Sequence, residues 1–239
     1  MLIIIGSLMI LVASFIQGVT GFGFAVVAVP LLSLLFPLQV IVPMLVLLGI
    51  FVNFYIFYPL RRYVEFKKIR GLVFFSIIAT PVGAYLLVWM NQFYLQIVAG
   101  MIILVFGAFL WTGRSFHIKN EKSALGIVGM LSGLLNGSLG LFGLPIALFM
   151  ANQKTEKNIF RANIALLGLI VCALTFLNYM YMGLINREVL EYSMWLFLAL
   201  LIGLLAGVKV DKFINQTLFM KISLLVIMVS GLFTIIFAV

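Results

Sequence analysis

Six stretches of this chain, residues 1–60, 71–113, 123–153, 162–186, 192–208 and 222–239, contain no Asp, Glu, Lys, Arg or His. At ~20 residues per crossing of a ~30 Å hydrocarbon core, they hold about eight to ten helical segments and leave no room for a domain outside the membrane. Composition agrees: 9% of the residues are charged, against ~25% in a soluble domain, and 65% are hydrophobic. The 15 Lys and Arg with the 6 Asp and Glu, 21 charges in all, cannot coat a water-facing surface. The chain therefore reads as an all-α polytopic membrane protein. A soluble enzyme, a secreted disulfide scaffold and a nucleic-acid partner are excluded.

The net charge of +9 is carried by short segments between the apolar runs, where the positive-inside bias places Lys and Arg beside membrane lipid. Cys172 is the single cysteine and lies in an apolar run, so neither a disulfide framework nor a metal-ligand set is expected. The N-terminus is apolar from Leu2 without a basic leader, which predicts a first membrane segment, not a cleaved signal peptide.

Two apolar segments are too short to cross, and each neighbours another across a glycine-rich break. The first break runs from Gln17 to Gly23 and the second from Asn136 to Pro145. Breaks in corresponding positions of two halves are the pattern of discontinuous helices in transporters. An internal repeat supports the correspondence. At an offset of 119, Gly18 falls on Gly137, Gly21 on Gly140, Gly49 on Gly168 and Gln17 on Asn136; at 124, Gly83 falls on Gly207 and Asn91-Gln92 on Asn215-Gln216. The expected fold is two inverted repeats, each a Gly-broken re-entrant helical hairpin followed by three transmembrane helices. Residues 1–120 form the first (broken hairpin 2–36, spans 39–60, 71–90 and 93–112). Residues 121–239 form the second (broken hairpin 124–151, spans 162–182, 192–208 and 217–239).

Orientation follows from basic residues. The segments 61–70, 113–122, 152–161 and 209–216 hold 13 of the 15 Lys and Arg, and share one face if each broken segment returns to the side it entered. Both termini then lie outside, and each repeat makes an odd number of crossings.

Broken helices survive in hydrocarbon only where they are buried in protein or line a cavity, so the two breaks mark the expected site. Helices restarting near Phe22 and Leu141 present unpaired N–H groups, suited to anionic groups. Gly18, Gly21, Gly23, Gly137, Gly140 and Gly143 are expected to let backbone approach a ligand, and Gln17, Thr20, Asn136 and Ser138 to add neutral hydrogen bonds. Gly49, Gly168, Gly83 and Gly207, lacking polar companions, are read as packing positions. Asn53, Asn163 and Asn178 are buried amides, serving as helix glue or cavity lining, and Asn163 is taken into the candidate site. Arg161 enters a span as a cytoplasmic anchor or, turned inward, as an anion contact. No Asp or Glu lies within an expected span, which leaves no carboxylate relay, and the lone His117 sits in a basic loop. No catalytic motif is legible, so the chain reads as a protein of translocation or signalling and not an enzyme, with no cofactor or metal.

The run Gln17-Gly-Val-Thr-Gly-Phe-Gly-Phe ending at Pro30 has a counterpart in Gly133-Leu-Leu-Asn-Gly-Ser-Leu-Gly with Gly143 and Pro145. With the step Arg161-Ala162, these resemble the duplicated motifs of the TauE/SafE family, the sulfite exporter family of membrane permeases. The resemblance covers nearly the whole chain. It implies a carrier in a bacterial or archaeal inner membrane for a small sulfur-containing or carboxylate anion. The resulting expectation is a secondary anion transporter working by alternating access. An anion-binding sensor or partner subunit, or a selective anion channel, stands as the alternative. Composition is compatible with a homo-oligomer and names no coupling ion.

Overall fold

The computed structural model describes residues 2–112, 121–153 and 155–211, with isolated positions beyond (213, 225, 228, 229, 232 and 236). Most of the expected span 217–239, and His117 with its loop, lie outside the described residues. Within them the chain is helical throughout, without a strand. α1 (Leu2–Thr20) and α2 (Phe24–Leu32) form the first broken pair, followed by α3 (Leu38–Leu60), α4 (Phe66–Trp89) and α5 (Gln92–Thr112). α6 (Glu121–Leu139) and α7 (Gly143–Asn152) form the second pair, followed by α8 (Lys157–Tyr181) and α9 (Arg187–Asp211). Among the described residues six helices, α1, α3, α4, α5, α8 and α9, are long and apolar enough to cross a bilayer. This is a multi-pass membrane protein. At 1.5 Å per residue, α2 (9 residues) and α7 (10 residues) reach only ~15 Å, half a crossing.

Breakers set the second arm's limits. Pro37, extended at φ −69°, ψ 151°, precedes α3, because its nitrogen cannot donate into a preceding turn. Several boundaries differ from the sequence expectation. The span expected from residue 71 starts at Phe66, that from 162 at Lys157, and that over 192–208 runs from Arg187 to Asp211. Charged residues mark where a helix leaves the apolar layer and not where its hydrogen bonding ends, and long basic side chains can snorkel from a first turn. Glu188 and Glu191 near the start of α9 and Asp211 at its end therefore belong to a span's helix, which corrects the expectation that no Asp or Glu lies within a span.

The most extensive helix contacts run between α1 and α9, between α4 and α6, and between α3 and α8. Glycine makes the first two possible. A Cβ on Gly18 would stand 2.7 Å from Leu204 O, and one on Gly207 2.9 Å from Gly18 Cα; a Cβ on Gly137 would stand 2.6 Å from Ala84 N, and one on Gly83 3.0 Å from Gly137 Cα. Backbones touch at both places, as small residues allow in membranes. The offsets of 119 and 124 carry the Gly18–Gly207 contact onto the Gly137–Gly83 contact.

Candidate functional site

Each broken pair turns on a glycine in the left-handed region: Gly21 at φ 78° and Gly140 at φ 72°, which are equivalent at the offset of 119. The amide of Gly21 donates to Gln17 O (2.7 Å) and that of Gly140 to Asn136 O (3.0 Å), so the two turns close alike. An L side chain in this conformation crowds its own carbonyl, so glycine is the residue that fits. Gly23, at φ 101°, completes the first turn.

The turns bring the starts of α2 and α7 together. A Cβ on Gly143 would lie 3.7 Å from Phe22 Cβ, and one on Gly140 3.6 Å from Ala25 Cβ. Between them lies a cavity bordered by Gly23 to Val26 from the first pair, by Gly140 to Gly143 from the second, and by Gln17, Asn53, Asn136 and Cys172. Among the described residues that line it none is charged. Its volume, ≈ 30 Å³, takes about two waters. The opening N–H groups of a helix have no partner within it, and two helix starts border this one cavity.

Three amide side chains at the cavity are fixed by their partners. Gln17 spans the first break: its Oε1 accepts from Phe24 N (2.8 Å) and its Nε2 donates to Gly21 O (3.2 Å). Its amide is spent on the turn. Asn136 donates from Nδ2 to Thr175 Oγ1 (2.6 Å), whose hydroxyl donates to Val171 O (2.8 Å). The other end of Asn136, Oδ1, faces only Cys172 Sγ at 3.9 Å. Asn53 donates from Nδ2 to Gly49 O (2.7 Å), and its buried Oδ1 has no hydrogen-bond partner among the described residues. At the offset of 119, Gln17 pairs with Asn136 and Asn53 with Cys172, so the cavity's polar groups occupy equivalent positions of the two halves.

Thus Gln17, Gly23, Asn136, Gly140 and Gly143 border the cavity, and the other expected residues do not. Gly18 and Gly137 face helix backbone, as described above. Gly21 packs under Arg161, whose Cγ would stand 2.6 Å from an added Cβ. Thr20 Oγ1 donates within its own turn, lying between Ile16 O at 2.8 Å and the closer Phe22 O. Ser138 donates back to Leu134 O (2.8 Å), and Asn163 Oδ1 accepts from Glu65 N (2.9 Å), tying α8 to the start of α4.

Arg161 is neither an exposed anchor nor a cavity residue. Its side chain is 4% exposed, pairs through Nη1 with Asp211, and donates from Nη2 to Gly18 O (2.8 Å). Lys157 Nζ joins the same carboxylate at 2.7 Å. Gly18 O belongs to the last turn of α1, whose carbonyls have no partner within the helix. The equivalent carbonyl in the second half, Gly137 O, accepts from Tyr179 Oη (2.5 Å). Among the described residues no three His, Cys, Asp or Glu side chains gather as a metal site. Sequence reasoning left Asn53 undecided between glue and lining and passed over Cys172 as a ligand-site residue. The repeat offset that relates these two positions was the signal available.

A multi-pass helical protein with two half-length helices starting at one uncharged cavity belongs to the class of membrane carriers and channels built on discontinuous helices. The model of the family described as Sulfite exporter TauE/SafE matches residues 7–234, and the chain is a member of that family of membrane transporters for sulfite-like anions. No curated protein and no solved structure matches it.

Proposed function

We propose that the protein is a secondary transporter moving a small sulfur-containing or carboxylate anion across a bacterial or archaeal inner membrane. Two inverted repeats, residues 1–120 and 121–239, rock about the paired breaks to expose the cavity alternately to each side. The reading rests on one observation: the N-terminal ends of α2 and α7 border the same uncharged cavity. Each terminus carries about half a positive charge and favours an anion by ~1–2 kcal/mol in partly buried geometry, before dehydration costs. The first-turn amides of Ala25 and Val26, with the start of α7 at Gly143, are the donors assigned to the anion. Gln17 holds the first turn, and Asn136 and Asn53 set the polar wall. Both termini lie outside, with the basic segment from Arg61 to Arg70 on the cytoplasmic side.

Repeat symmetry supports this reading in three places: the left-handed pair Gly21 and Gly140, the glycine contacts with Gly207 and Gly83, and the capped carbonyls of Gly18 and Gly137. The test is uptake into sealed proteoliposomes of labelled sulfite, sulfoacetate, acetate and chloride, compared with sodium and an organic ammonium. Saturable anion uptake that concentrates against its own gradient under an imposed driving gradient is the expected result. Uptake that only equilibrates would make the protein a channel. Saturable transport of the ammonium without any anion effect would overturn the proposal.

A further inference from the structure

The anion reading accounts for the donors at the cavity and leaves its acceptors unexplained. Asn53 is 2% exposed, and its Oδ1 has no partner. Which end of the amide is oxygen is settled by chemistry, since Gly49 O, 2.7 Å from the other end, accepts only and must meet the NH₂ group. The donor end is thus turned back onto α3. Asn53 borders the cavity, and its oxygen is the end left unpaired among the described residues. Asn136 is fixed the same way. Its Nδ2 meets Thr175 Oγ1, a hydroxyl whose proton is committed to Val171 O, so Thr175 accepts and Asn136 Oδ1 is again the acceptor end. Among the described residues it meets the weak thiol donor of Cys172.

Two amide oxygens, one unpaired and one met only by a thiol, repel a bare anion, and the unpaired one is costly to leave so. We infer that the ligand carries a hydrogen-bond donor of its own beside its negative charge: a small oxyanion bearing an O–H or N–H group, met by the Asn53 and Asn136 oxygens while the starts of α2 and α7 hold its anionic oxygens. This rests on the anion-transport reading and narrows it. Fully deprotonated oxyanions and halides lack the group that those acceptors require. A Cβ on Gly168 would meet both the Phe142 ring and Asn53 Oδ1, so ring and oxygen lie side by side against α8.

The test uses purified protein and two pairs of anions matched in charge and heavy-atom count: glycolate with propionate, and isethionate with 1-propanesulfonate. Each pair exchanges a hydroxyl for a methyl group. Ligand-induced thermal stabilisation is titrated for each member. The hydroxyl member is expected to reach half-maximal effect at a concentration about tenfold lower or more, because a site built around a polar group discriminates against the analogue lacking it. Asn53→Leu should shrink that ratio toward one, weakening the hydroxyl member more than the methyl member, and Asn53→Val serves in its place should the leucine variant not fold. Equal titrations within both pairs, or a ratio unchanged in the variant, would sink the donor requirement and leave anion transport standing. Silence from all four anions would remove the anion reading itself, and this inference with it.

Discussion

Arg161 and Asp211 invite a quantitative test because the structure gives them unequal alternatives. Replacing Arg161 by Gln removes the ion pair and a charged hydrogen bond to Gly18 O, yet Asp211 keeps Lys157 at 2.7 Å and is 15% exposed. Charged hydrogen bonds are worth ~1.5–3 kcal/mol, so the expected loss is about 2–3 kcal/mol. Replacing Asp211 by Asn strands a guanidinium that is 4% exposed, with Gly18 O as its remaining acceptor. Removing one partner of a buried pair costs ~3–5 kcal/mol, because an uncompensated charge stays behind. The order is therefore Asp211→Asn worse than Arg161→Gln. The double variant should fall short of the summed losses by at least ~1.5 kcal/mol. Reversible unfolding of the four proteins in mixed micelles measures the cycle. Losses that add within ~0.5 kcal/mol, or Arg161→Gln proving the more damaging, would refute the clasp as described. Since Arg161 does not border the cavity, the folded fraction of Arg161→Gln should bind anions with unchanged affinity.

Gly140→Ala meets only ordinary contacts at 3.6 Å and 3.8 Å, so its expected cost is the left-handed backbone alone, ~1–2 kcal/mol. Gly21→Ala adds the overlap with the Arg161 stem and should be the less stable of the two in a thermal melt; equal melting would contradict the packing described. In a Cys172→Ser background, Lys67→Cys and Lys209→Cys should resist an impermeant thiol reagent in intact cells, while Glu188→Cys labels. Labelling at both lysine positions with protection at Glu188 would invert the proposed topology.

The fold was legible because hydrocarbon punishes unpaired backbone: charge-free runs had to be helices, and their glycine-rich interruptions had to be buried. Gly21 and Gly140 were legible for the same reason, as paired breaks with paired amides beside them. Gly18 and Gly137 were read as ligand-facing, although a missing Cβ says only that something comes close. Here that something is the backbone of α9 and of α4. A four-residue spacing shared by Gly129, Gly133 and Gly137, and by Gly203 and Gly207, was the available sign of packing. Asn53 and Asn163 look alike in sequence, each an amide in an apolar run. One meets the cavity and the other meets Glu65 N, a distinction that exists only after α4 and α8 are docked. Asp211 lay three residues past an expected helix end, and nothing local announces a partner 50 residues earlier at Arg161.

Positions related by the two offsets share their glycines but not a fastening. At the offset of 119 the position of Arg161 is taken by Val42, and at 124 that of Asp211 by Leu87, both fully buried. Gly21 accordingly packs under a guanidinium stem, whereas a Cβ on Gly140 would lie 3.8 Å from Val42 Cγ1. The carbonyl of Gly18 is held by a charged donor and that of Gly137 by the neutral hydroxyl of Tyr179. If transport moves each hairpin against α8, releasing the first breaks a charged contact and releasing the second a neutral hydrogen bond worth ~1 kcal/mol. The first hairpin should therefore be the slower to open. Cys172, 3% exposed at the cavity wall, reports on this. Its modification by methyl methanethiosulfonate should quicken about tenfold or more in the Arg161→Gln, Asp211→Asn double variant, since ~1.4 kcal/mol is a factor of ten in an opening equilibrium. Tyr179→Phe should quicken it only several-fold, and a saturating anion should slow it in all three proteins. A Tyr179→Phe rate equal to or above that of the double variant would show that the charged clasp does not hold the cavity closed.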